Sequence, residues 1–183
     1  MNWRRERMAR VIAEYEGSEH RGVAFKHKHL AAARELIDEG VAEVLAQFGD
    51  NPMNWECERL LRMGATGTNG RRTTPDDAFR RLDVDKKDFR KELRDHQLPP
   101  PSKLLAWGQL LSVAAGWLDP RSTNSRDETA LSFGFSDGGS CSTRCHHHSG
   151  LYPSDVTSMA QFVRALMECW LRDKRRGRNG RGK

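Results

Sequence analysis

An all-α fold is what three features of the sequence predict. Apolar residues recur at spacings of three and four in several separate stretches. Helix-start signals, hydroxyl or Pro followed by carboxylates, and stop signals, Gly or runs of Pro, bracket those stretches. No run alternates apolar and polar residues for long enough to make a useful strand. The 183 residues, 37% hydrophobic and 31% charged, suit one domain of ordinary size with a heavily solvated surface.

Met8, Val11, Ile12 and Tyr15 give a short amphipathic stripe that Gly17 stops. Leu30, Ala33, Ile37, Val41, Val44 and Phe48 give a longer one, ended by Gly49 and Pro52. Gly40 weakens its middle by about 1 kcal/mol relative to Ala. This stripe is expected to pack on the rest of the chain or on a second copy, which would make a weak homodimer. Trp55, Leu60, Leu61 and Met63 begin the next helix, which gives way to the loop GATGTNGRR. Thr74-Pro75-Asp76-Asp77 is a strong helix start: a capping hydroxyl, Pro in the first turn, and carboxylates at the positive end of the dipole. That helix is short and reaches Asp83-Val84. Another begins at Asp85, turns Phe89 and Leu93 inward, and stops at the prolines 99–101. KLLAWGQLLSVAAGWL, apolar around most of its circumference, is expected to be buried on several sides. A last amphipathic helix carries Met159, Phe162, Val163, Leu166 and Trp170 on one side.

Charge is distributed unevenly. The end from Arg172 to Lys183 holds seven basic residues and one acidic one, so it accounts for the whole net charge of +6. Apolar-free and basic, it is expected to be a disordered arm that binds polyanions. No segment approaches the roughly 18 apolar residues of a membrane helix, and four scattered cysteines do not make a secreted disulfide scaffold. The expectation is a cytoplasmic protein with reduced thiols.

Two short helices joined tightly, the second basic around an apolar i, i+4 pair, describe a helix-turn-helix. The pattern occurs twice, on either side of the apolar helix. Gly134-Phe135-Ser136 and Gly150-Leu151-Tyr152-Pro153-Ser154-Asp155 bracket the second copy; Val84-Asp85 and Leu98-Pro99-Pro100-Pro101-Ser102 mark the first. From Trp55 to Val156 the arrangement resembles the DNA-binding domain of AraC-type transcription regulators, in which two helix-turn-helix units are joined by a linker helix. The resemblance implies a segment 1–52 of N-terminal helices, a DNA-binding domain over 53–157, a C-terminal helix over 158–171 and a basic tail over 172–183. It also implies double-stranded DNA as partner. Lys87, Arg90 and Lys91 would then face base edges, and Lys86 and Arg94 phosphates. Ser142 and Thr143 would be the contacts of the second unit, and Arg175 and Arg176 those of the tail.

Departures from the pattern fall mostly in the second unit. Cys141 and Cys145 take its two inward positions, Gly138 and Gly139 fall where bases are usually read, and Arg144 stands where the family is apolar. In the first unit Asp83 replaces the turn glycine. Cys141, Cys145 and His148 share one helical face and so raise the question of a metal. No second pair of ligands completes a four-ligand site, and the other histidines (20, 27, 29 and 96) are scattered. The reading adopted is that both cysteines fill the core as small hydrophobes.

A DNA-binding transcription regulator is therefore expected, read mainly through its first helix-turn-helix. Nothing in the sequence calls for catalysis, a cofactor, a membrane or a small-molecule effector. The rival is a helical protein-interaction module, or a relic that kept the fold and lost specific binding.

Overall fold

A computed structural model describes residues 27–66, 73–120, 122 and 124–179. The stripe at Met8 to Tyr15 lies outside them. Eight α-helices, one short 3-10 turn and no strand are found among the described residues, so the all-α expectation holds.

Helix α1 is His27–Phe48, followed by α2, Asn54–Ala65. A pair of short helices comes next: α3, Pro75–Leu82, and α4, Lys86–Asp95. Helix α5, Pro101–Leu118, leads to a second pair, α6 at Arg126–Ser132 and α7 at Gly138–Ser149. After a 3-10 turn at Pro153–Asp155 the chain ends in α8, Met159–Asn179.

Local chemistry fixes most of these boundaries. Thr74 and Asp77 form a reciprocal capping box at the start of α3, with Pro75 in its first turn. The helix ends where Asp83 turns left-handed, at φ 55°. Asp85 caps α4, accepting from the Lys87 and Asp88 amides at 2.8 and 3.0 Å. Ser125 and Glu128 box the start of α6, and Asp137 caps α7 by accepting from the Ser140 amide at 2.6 Å. Gly150, with φ 74°, closes α7.

Helix α5 is the hub. It packs against α1, α2, α3, α6 and α8, and every residue from Leu104 to Ala115 is buried. Its two buried polar side chains each hold a neighbour's end. Ser112 donates to the Ala65 carbonyl at the end of α2, at 2.8 Å, and Gln109 to the Phe133 carbonyl after α6, also at 2.8 Å. Such bonds satisfy carbonyls that a helix terminus leaves without an internal partner.

The stripe on α1 is consumed inside the chain. Ala33, Val41 and Val44 are buried, and Ile37 and Phe48 pack against the same core. The apolar face that prompted the homodimer expectation is thus covered by α2, α5 and α8. Gly40 has a reason of its own: a Cβ there would come within 2.9 Å of Met159 Sδ and 3.0 Å of Leu111 Cδ2. The sequence boundaries at 52 and 157 separate no bodies, because α1, α8 and both helix pairs share one core.

One expectation is corrected. The basic end is helical through Asn179 rather than disordered from Arg172. Three contacts hold this extension: Lys103 Nζ to Asp173 Oδ2 at 3.3 Å, Lys174 Nζ to the Gln97 carbonyl at 3.3 Å, and Lys174 above the Trp170 ring. No helix among the described residues is long and apolar enough to cross a membrane.

Candidate nucleic-acid interface

Helix α4 has only two buried residues, Phe89 and Leu93, the i, i+4 pair expected to point inward. Phe89 meets Phe79 of α3 edge to face, with ring centroids 5.9 Å apart and planes at 73°, a preferred aromatic geometry. Together with Ala78 and Leu82 on α3, this anchors α4 by one stripe and leaves the rest of its surface open.

Lys87, Arg90, Lys91 and Arg94 are all exposed. Their spacing of i, i+3, i+4 and i+7 puts them on one face. None of the four forms an ion pair among the described residues. The Arg90 guanidinium lies over the Phe79 ring, 5.2 Å from its centroid.

Lys86 differs, because its Nζ is 2.7 Å from Asp76 Oδ1 across the helix pair. Lys86 lowers the Asp76 pKa, chiefly through the hydrogen bond between them. Both side chains are more than half exposed, so the pair is a solvent-screened surface bridge that leaves Lys86 free to swing to another anion.

The second pair presents a different face. Cys141 and Cys145 are buried as core residues, and burial pushes the Cys145 thiol up to about 11. No group of three His, Cys, Asp or Glu among the described residues is arranged to hold a metal ion. Thr143 is exposed and Ser142 and Arg144 are half-buried. His146 stacks flat on Tyr152, centroids 4.4 Å apart.

His148 is half-buried, and its pKa is lowered to about 4, by burial first and then by His147, Lys103 and Arg144, against a smaller opposing effect of Asp173. Gly138 lies beside Asp127: a Cβ there would fall against the end of the Asp127 side chain and 3.5 Å from its Cα. Asp127 is exposed and its carboxylate can turn aside, and its Cα is at ordinary contact distance, so a small side chain here needs no movement of α7.

Arg175 and Arg176 are exposed near the end of α8. Lys174, one residue earlier, donates to the Gln97 carbonyl and to Gln97 Oε1, both at 3.3 Å, which brings this end of α8 to the end of α4. Sequence reasoning missed Gln97, Asp173 and Lys174. Partners seventy or more residues apart leave no periodic signal.

No protein-family model, curated protein or solved structure matches the chain.

Proposed function

We propose that this chain is a sequence-specific DNA-binding regulator of the AraC type, acting without catalysis and reading duplex DNA mainly through α4. The observation that carries the reading is the character of that helix. It follows α3 after a tight turn, is anchored only by Phe89 and Leu93, and presents Lys87, Arg90, Lys91 and Arg94 on one face without ion pairs among the described residues.

The major groove admits one α-helix, and Arg or Lys toward guanine is its commonest specific contact. In this reading Lys87, Arg90 and Lys91 face base edges. Arg94, one turn beyond Arg90, and Lys86, once released from Asp76, serve phosphates.

The second pair is the weaker reader. Thr143 and Ser142 offer short hydroxyls, and Gly138 and Gly139 offer no side chain. Arg175 and Arg176 add charge beside the end of α4, a contribution that is insensitive to sequence. Selection of bound duplexes from random DNA by gel shift tests the proposal. The expected result is one enriched block of a few base pairs. Recovery of unenriched DNA with the full chain would leave a protein-interaction role as the better reading.

A further inference from the structure

A groove of about 540 Å³ opens between the end of α4, the start of α5 and α8. Its size falls in the range of small-molecule sites, roughly 300–1,000 Å³. Pro75, Leu98, Pro101 and Trp170 give it an apolar wall. Trp170 is set in place by Trp107, which meets it edge to face at 6.3 Å and 83°.

The charged part of the lining is unbalanced. Arg90, Arg94, Lys103 and Lys174 face a single carboxylate, Asp173, and Lys103 already bonds it at 3.3 Å. Lys174 is held 5.1 Å from the Trp170 ring centroid. The Arg94 side chain has no ion-pair or hydrogen-bond partner among the described residues.

Two kinds of occupant fit badly. Inorganic phosphate uses the cations and leaves the prolines and indole in water. A neutral apolar molecule covers the wall and desolvates a guanidinium without a partner. A small organic carboxylate with an apolar body satisfies both sides, because a planar guanidinium matches a carboxylate in bidentate geometry.

We propose that this groove is a binding site for such small amphiphilic carboxylates, with the carboxylate on Arg94 and the hydrocarbon body against Trp170, Pro75 and Pro101. A consequence rests on the DNA reading above. Arg90 and Arg94 cannot serve groove and duplex at once, so an occupied groove weakens DNA binding. By linkage, DNA weakens the ligand by the same factor.

The test is calorimetric titration of the full chain, without DNA, using 1-naphthoate, its neutral analogue 1-naphthamide, and inorganic phosphate. Saturable 1:1 binding of naphthoate is expected, with naphthamide and phosphate each weaker by about tenfold or more, the loss of one charge-assisted hydrogen bond or of the apolar contact. Arg94→Ala should lower naphthoate affinity by about tenfold on the same grounds, while Arg164→Ala, an exposed change outside the groove, should leave it unaltered. Equal binding of naphthamide or phosphate, or an Arg94→Ala variant of undiminished affinity, overturns the site. A second titration, of a duplex obtained by the random selection, separates the two readings. Naphthoate binding in a chain that selects no sequence keeps the groove and refutes the DNA reading. A selected duplex whose affinity is unchanged by saturating naphthoate refutes the competition.

Discussion

Gly64 and Gly108 lie where α2 crosses α5, with no room for a side chain on either. A Cβ on Gly108 would stand 1.9 Å from the Leu61 carbonyl oxygen, and one on Gly64 would stand 2.1 Å from that of Leu105. Two turns further along α5, a Cβ on Gly116 would come within 2.6 Å of Thr129 Cγ2 on α6. Glycines on one hub helix therefore set the approach of α2 on one side and of α6 on the other. The Ser112 bond adds to the seating of α2 on α5, and the Gln109 bond to that of α6 and so of the second short-helix pair.

Gly108→Ala should destabilise the protein. Alanine gains about 1 kcal/mol of helix propensity over Gly, but the methyl meets backbone, which cannot step aside without moving a helix. Overpacking of this sort costs about 1–3 kcal/mol or more, so a net loss is expected. Gly40→Ala is the contrast, because its nearest neighbour is the flexible end of Met159; propensity and repacking should nearly cancel. Urea unfolding of both variants checks this. A Gly108→Ala protein as stable as the wild type would mean that the crossing is looser than described.

Capping carboxylates should make stability fall in acid. The Asp88 and Lys87 amides hold the Asp85 carboxyl below the usual carboxylate range, and the Ser140 amide does the same for Asp137. A folded-state pKa that is depressed contributes stability above the unfolded value, about 4, and loses it as pH drops through the folded value. Asn caps as well as Asp but does not titrate. The Asp85→Asn, Asp137→Asn double variant should therefore lose less stability than the wild type between about pH 5 and pH 2, the acid range of carboxylate linkage. Equal losses in urea unfolding at the two ends of this range would show that these caps are not what acid breaks.

A separate window belongs to His148. Its folded pKa is lowered to about 4, so between about 6.5 and 4 the unfolded chain binds a proton that the folded chain refuses. Stability is unaffected above that window and falls as pH drops through it. The groups facing the imidazole are His147 and Arg144 on α7, Lys103 on α5 and Asp173 on α8. Thermal unfolding of His148→Gln at pH 7 and pH 5 should show a smaller difference than the wild type. An identical difference would place the acid sensitivity in this range elsewhere.

Much of this architecture was legible in the sequence because its signals are local. The inward pair Phe89 and Leu93, the start at Thr74 and the near-total burial of α5 follow from spacing and side-chain type, whereas the core placement of Cys141 and Cys145 came from the resemblance to the two-unit helix-turn-helix pattern. Two caps were equally local and went unread: the Ser125–Glu128 box and the Asp137 cap, both hidden in a polar segment that looks like loop. What spacing cannot carry is long-range meeting. Gly108 reads as a flaw in a helix until Leu61 is beside it. The basic end reads as disordered until Gln97 and Lys103 hold it. At the candidate interface, the exposure of Lys87, Arg90, Lys91 and Arg94 was readable; the Asp76 partner of Lys86 and the Phe79 seat of Arg90 required the fold.

The unequal roles proposed for the two helix pairs give the sharpest test. Arg90 begins against Phe79, a contact worth about 0.5–1 kcal/mol at an exposed site. A bidentate guanine contact gives about 1–3 kcal/mol of discrimination, which is enough to turn the guanidinium outward. Arg90→Ala and Lys91→Ala should each cost about 1–3 kcal/mol in binding and relax one base position. Thr143→Ala should change the selected sequence little, since a hydroxyl on a helix that starts with two glycines reaches no further than its own surface. Arg175→Gln with Arg176→Gln should weaken all duplexes alike. It should also flatten the dependence of log affinity on log salt by up to about 0.9 for each phosphate no longer neutralised. Charge-neutral substitutions are preferable to truncation at Arg172, which would also remove the Asp173 and Lys174 contacts that seat α8. Selected-site profiles and salt titrations for the four proteins distinguish the outcomes. Two equally informative blocks about a helical turn apart, the second absent from the Thr143→Ala profile, would show that α7 reads DNA as fully as α4, and the asymmetry would fall.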